Sequence, residues 1–165
     1  MKKKPRVARI ARFIISILIP LIIGFLGSIF TSKSVNSWYL ALNKPFFNPP
    51  NWLFAPVWII LFVLIGISFY FAWDKNFGGN KKIRKAVCLT VYSLQLFFNF
   101  LWSLLFFGLK NPLFAFAEII FLWFLIIANI FVFYKVSKIS AYLLVPYLLW
   151  VSFASLLNCY ITILN

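Results

Sequence analysis

The run NPLFAFAEIIFLWFLIIANIFVFY at positions 111–134 carries one charged side chain, Glu118, over its whole length. A helix needs roughly 20 apolar residues to cross a hydrocarbon core about 30 Å thick, so this stretch reads as a transmembrane helix. Four more stretches, 13 to 32, 45 to 73, 86 to 109 and 139 to 165, hold no charged residue at all. The expected fold is therefore an all-α integral membrane protein. It is a five-transmembrane-helix bundle with helices near 12–31, 52–73, 86–107, 112–134 and 140–163, making one domain over 1–165. A barrel would need short alternating segments, which are not visible, whereas helices satisfy their own backbone groups within the hydrocarbon.

Composition agrees with that reading. Of the 165 residues 64% are hydrophobic and 11% charged, far below the charge of an ordinary soluble domain. Histidine is absent, which excludes His-based acid/base catalysis, His-liganded zinc and proximal-His haem ligation. Cys88 and Cys159 cannot build a disulfide framework or a Cys-rich metal site. No Gly-x-Ser-x-Gly elbow or phosphate-cradling glycine loop is present, so a hydrolase or nucleotide enzyme is not expected.

Of 16 cations, 13 fall on one side of such a bundle, leaving Lys33, Lys44 and Lys110 on the other. The positive-inside rule then places the N-terminus inside and the C-terminus outside. The net charge of +14 is accounted for by anchoring to anionic headgroups, and no nucleic-acid partner is expected. Lys2, Lys3, Lys4 and Arg6 before an apolar run could also mark a signal peptide. The run is too long for one and ends in Ile29-Phe30-Thr31 without a small-residue cleavage site, so it is kept as the first helix.

At about 1.5 Å per residue, Trp58, Asn99, Trp102, Trp150 and Ala154 fall at similar depth in the outer half of the membrane. Phe114 and Glu118 lie in the first two turns of the fourth helix, in the same layer. Gln95, Asn99, Trp102 and Phe106 follow one helical stripe, and Pro146, Trp150, Ala154 and Asn158 another. Amides facing lipid are costly, so both stripes face inward. They serve either as glue between helices or, with three indoles nearby, as the wall of a pocket for a flat apolar ligand. Glu118 is equally open: an intramembrane carboxyl is a functional candidate, yet near a helix N-terminus it has a structural use. Above this layer the connection 32–51, with Trp38, Tyr39, Phe46, Phe47, Pro49 and Pro50, reads as interfacial anchors or as a lid. Gly78-Gly79-Asn80 reads as a turn, and Asp74 as a surface residue.

The series Trp38-Tyr39-x-x-Leu42-x-Lys44-Pro45-x-x-x-Pro49-Pro50-x-Trp52-x-Phe54-x-Pro56-Val57-Trp58 resembles the signature of the TspO/MBR family, the tryptophan-rich sensory proteins related to the peripheral benzodiazepine receptor. Two later segments are similar to that family too. They are Asn99-x-x-Trp102-Ser103-x-x-Phe106-Phe107-Gly108 and Leu144-x-Pro146-Tyr147-x-x-Trp150-x-x-Phe153-Ala154-x-x-Leu157-Asn158.

The resemblance implies a five-helix homodimer in a bacterial cytoplasmic membrane, in contact with lipid. Its pocket under the first loop would bind porphyrins such as protoporphyrin IX and other hydrophobic small molecules. Tyr39, Trp58, Asn99, Trp150 and Ala154 match family pocket positions. Trp58 and Trp150 would be the catalytic pair if the chain degrades protoporphyrin in light and oxygen, as some members do. Pro49, Trp102, Phe114 and Glu118 join the expected ligand-binding set from position. A receptor or sensor in tetrapyrrole or stress homeostasis is the leading expectation, with a photo-oxidative enzyme and a transporter as alternatives. No cofactor or metal is expected, and metal-free porphyrin is favoured over axially ligated haem. The chain departs from animal members after Tyr160, where Ile161-Thr162-Ile163-Leu164-Asn165 lacks the cation of their sterol-recognition pattern. Val132-Phe133-Tyr134-x-x-x-Lys138 fits that loose pattern too weakly to use, and Gly24-x-x-x-Ser28 could serve close helix packing.

Overall fold

The computed structural model describes residues 6–74 and 81–165, with side chains placed through Trp73 and again from Arg84. Lys2, Lys3, Lys4, Lys75 and the Gly78-Gly79-Asn80 turn lie outside the described residues, as do the side chains of Asp74, Lys81 and Lys82. Helices follow in the order α1 (Arg6–Ser34), α2 (Trp38–Ala41), α3 (Asn51–Asp74), α4 (Lys81–Ser103), α5 (Pro112–Tyr134), α6 (Lys138–Leu143) and α7 (Val145–Leu164). Among the described residues five segments are long and apolar enough to cross a membrane, with α6 and α7 together forming the fifth.

Two helices begin earlier than the apolar limits near 12 and 86. The segments RVARIAR and KKIRK are cationic but rich in good helix formers, so the backbone stays helical through them. The fifth span is not one helix. Pro146 has no N–H to continue the ladder, so the chain closes α6 with a tight Leu144 N to Ala141 O bond of 3.1 Å and restarts at Val145. α4 widens at its outer end into a π-helical turn, Leu104–Gly108. That turn frees the Phe107 carbonyl, which accepts from the Ser34 hydroxyl at 2.7 Å and so fixes the end of α1. Lys110, at φ 54°, then takes the left-handed conformation that ends the segment, and Asn111 caps α5 by accepting from Phe114 N at 3.0 Å.

α1 packs on α3 and α4, α5 packs on α4 and α7, and α3 rests on α6. Hydrogen bonds between Asn43 and Asn165 place the α1–α3 connection and the end of α7 at the same end of the bundle. Arg6, Arg84, Lys135 and Lys138 therefore share the opposite, cationic end, the inside one by the positive-inside rule.

The inner half is solid. Tyr92 stacks on Phe69 at 4.1 Å and lies near Phe133, while Ser68 donates to the Ser140 carbonyl at 2.7 Å. Gln95 is part of this core: its Oε1 accepts from Asn129 Nδ2 at 2.6 Å, both side chains being fully buried. Gln95→Leu is expected to lower the thermal midpoint in detergent, because it orphans the Asn129 amide at a cost of about 1 kcal/mol. The double variant Q95L/N129L should recover most of that loss, since removing both partners leaves no buried group unpaired.

Candidate functional site

In the outer half the helices part around a cavity of about 650 Å³. Its walls come from α1, α3, the outer part of α4 with its π-helical turn, and α7, and it is roofed by Tyr39 of α2. Among the described residues, none of α5 or α6 lines it, and no charged side chain does. Among the described residues, no three His, Cys, Asp or Glu side chains come together to hold a metal ion.

The three indoles are held differently. Trp58 stacks over Phe62 at 5.5 Å and meets the edge of Tyr147 at 6.3 Å. Trp102 lies nearly parallel to Phe106 at 5.2 Å, and its Nε1–H donates to Asn158 Oδ1 at 3.1 Å. Asn158 also donates to the Pro112 carbonyl at 2.8 Å, so this amide ties α4, α5 and α7 together behind the wall. Trp150 sits against Phe54 and Phe153, with its Nε1–H buried and unpartnered. On the floor, Asn99 Nδ2 donates to the Tyr147 hydroxyl at 2.9 Å, so the phenol holds the amide in place.

The roof is a compact aromatic cap. Tyr39 is buried edge-on to Phe54 and tilted against Phe106 and Phe107. Its hydroxyl donates to Asn48 Oδ1 at 2.6 Å. Burial pushes the phenol up to about 12, against the opposing pull of the Asn48 bond, so it remains a neutral donor. Lys44 lies over the same ring at 4.9 Å while its Nζ donates to the Leu40 and Leu42 carbonyls, closing the end of α2. Reciprocal amide bonds between Asn43 and Asn165 then fasten the cap to α7.

Of the positions expected from sequence, Tyr39, Trp58, Asn99, Trp102, Trp150 and Ala154 come together around this one cavity. Three do not. Pro49 shapes the cap, its carbonyl accepting from Asn48 Nδ2 at 3.0 Å, but it does not line the cavity. Phe114 is 61% exposed on the outer surface of α5. Glu118 is buried, with both carboxyl oxygens unpartnered, on a helix that packs behind α4 and α7. For the two on α5 the physical reason is shared: depth along a helix fixes a layer but not a direction, and α5 stands outside the ring of walls, whereas Pro49 belongs to the connection and is turned into the cap. Gln95, on the expected α4 stripe, lies in the solid core below.

Sequence reading missed α1 as a wall. Leu21, Gly24, Phe25, Ser28, Thr31 and Ser32 all line the cavity. The signal was the small and hydroxylated residues at 24, 27, 28, 31 and 32 in a stretch, 21–32, otherwise made of Ile, Leu and Phe.

A profile of the TspO/MBR family matches residues 16–164. The chain is similar to a tryptophan-rich protein TspO of Archaeoglobus fulgidus, at 48% identity over 94% of this chain and 98% of that one. It is similar to a translocator protein of Bos taurus, at 37% identity over 86% and 82%. A tryptophan-rich sensory protein of Cereibacter sphaeroides is 33% identical over 74% and 73%.

Proposed function

The chain belongs to the TspO/MBR family of integral membrane proteins, and from that premise we propose that it is a receptor for a flat, apolar, porphyrin-like ligand held in the outer-half cavity. The observation that carries this reading is a lining with three indoles and no charge beneath a closed aromatic cap. The volume lies within the range of small-molecule pockets, roughly 300 to 1,000 Å³. Trp58 and Trp150 offer aromatic faces to a macrocycle. Asn99, steadied by Tyr147, supplies an oriented amide. The lining contains no His, Met or Cys, so a metal-free porphyrin fits it better than a haem that needs an axial ligand.

The test is quenching of tryptophan fluorescence by protoporphyrin IX in the dark, followed by absorbance under light. Saturable quenching with stable absorbance supports a receptor. Saturable quenching followed by bleaching that needs dissolved oxygen and that Trp150→Phe abolishes would make the same pocket a photo-oxidative enzyme, with oxygen as the oxidant. Quenching that never saturates overturns the porphyrin reading.

A further inference from the structure

At its glycines and ring pairs α1 meets α3 in the inner and middle turns. A Cβ on Gly66 would stand 2.6 Å from the Ile17 Cα, and one on Gly24 only 2.2 Å from the Phe62 ring, while Phe13 meets Tyr70 edge-on at 5.2 Å. Gly24 against Phe62 is the outermost of these contacts. Beyond it, among the described residues, no hydrogen bond or ring contact joins the two helices. α1 instead leans towards α4: Phe30 meets Phe100 at 6.0 Å, Gly27 lies against Ser103, and Ser34 holds the Phe107 carbonyl. The outer part of α3 turns to α7 and the cap, with Phe54 on Trp150 and Tyr39.

The cavity fills the space left between them. Its wall runs along both edges of that gap, and the edge residues belong to the outer surface as well. Phe25 is 68% exposed and Ile59 57% exposed, and Ser28, Ser32 and Ala55 are exposed too, yet all five line the cavity. A residue that faces both lipid and cavity marks an opening. The opposite route is shut by the buried Tyr39 and its bonds, and the wall carries no charge to draw an ion from water.

We infer that the cavity loads sideways from the acyl-chain layer through the gap between α1 and α3, over a sill formed by Gly24 and Phe62, with Phe25 as its movable edge. Resting on the receptor reading above, this narrows the ligand class to molecules dissolved in the bilayer. The cap then serves as a fixed roof, and an anionic group on the ligand must stay at the gap, since nothing inside pairs with it.

The experiment uses the full chain in phosphatidylcholine vesicles, with stopped-flow quenching by protoporphyrin IX. Ser28→Phe with Ala55→Phe narrows the gap from both edges. Association and dissociation should then slow together, each about tenfold, whereas loss of a binding contact would speed dissociation alone. Phe25→Ala should accelerate both. Asn165→Ala, which unties the cap, should leave both rates as they are. Faster exchange in Asn165→Ala, or wild-type rates in the narrowed variant, would overturn the inference. A second probe works without porphyrin: phosphatidylcholine brominated at mid-chain should quench an emission component that Trp58→Phe removes, and S28F/A55F should remove the same component. Absence of that component in the unaltered chain overturns the gap. Its presence without saturable porphyrin quenching keeps the gap and discards the porphyrin.

Discussion

Ala154→Phe is expected to weaken protoporphyrin IX binding about a hundredfold, a loss of about 2.8 kcal/mol at 1.4 kcal/mol per tenfold, while leaving the thermal midpoint near that of the parent. Ala154 lies on the α7 face that also carries Trp150 and Asn158, where it borders the cavity at the edge of the packed core. A phenyl ring there enters the cavity instead of the packed core, so the usual strain of adding bulk to a filled interior does not arise. The ring takes the place of the ligand and competes for the same indole faces. Ala154→Ser is the control: it adds one atom and should bind within a few-fold of the parent. Fluorescence titration reads the affinity and a detergent melt reads the fold. A Phe variant that binds like the parent would place the ligand somewhere other than this cavity.

The reason Ala154 could be picked out in advance, and α1 could not, is instructive. Helical spacing put Ala154 in register with Trp150 and Asn158, and an amide and an indole on one stripe demand an interior partner. Those demands are local, so they are visible in a single helix. The α1 wall is different: Gly24, Ser28 and Thr31 matter because of which helix stands across from them, and that depends on the order of packing round the ring. Glu118 shows the converse. Its chemistry marked it as exceptional and its depth matched the indoles, but α5 packs behind α4 and α7, and nothing in its own sequence says so. The five spans were legible because the bilayer sets a length that the apolar runs must meet. The break before Pro146 and the π-helical turn at Leu104–Gly108 were not. Pro20 and Pro56 sit inside unbroken helices, so a proline in an apolar run does not by itself mark a break, and a π turn depends on tertiary partners such as Ser34.

The second large effect concerns two glycines that look alike in sequence and differ in what faces them. Gly66→Ala is expected to destabilise the bundle by about 3 kcal/mol, the upper part of the range for overpacking, and Gly66→Leu to abolish folded protein. A Cβ at this position would lie 2.6 Å from the Ile17 Cα and 2.7 Å from the Ser16 carbonyl oxygen. Both are main-chain atoms, and neither can swing aside. The carbonyl is itself unusual, because Pro20 lacks the N–H that would have bonded it within α1, and the missing side chain at Gly66 lets the α3 backbone come right up to it. At Gly24 the clash is with the Phe62 side chain, which has the cavity beside it to move into. Gly24→Ala should therefore keep the thermal midpoint within a few degrees of the parent yet weaken porphyrin binding, since a displaced Phe62 intrudes on the floor beneath Trp58. The pair separates the two layers of the molecule by measurement: Gly66 moves stability and Gly24 moves affinity. If Gly66→Ala melts like the parent, the inner contact of α1 with α3 is not the joint that holds the outer gap in place. If Gly24→Ala loses stability as Gly66→Ala does, Phe62 has no freedom to yield and the floor is as rigid as the core below it.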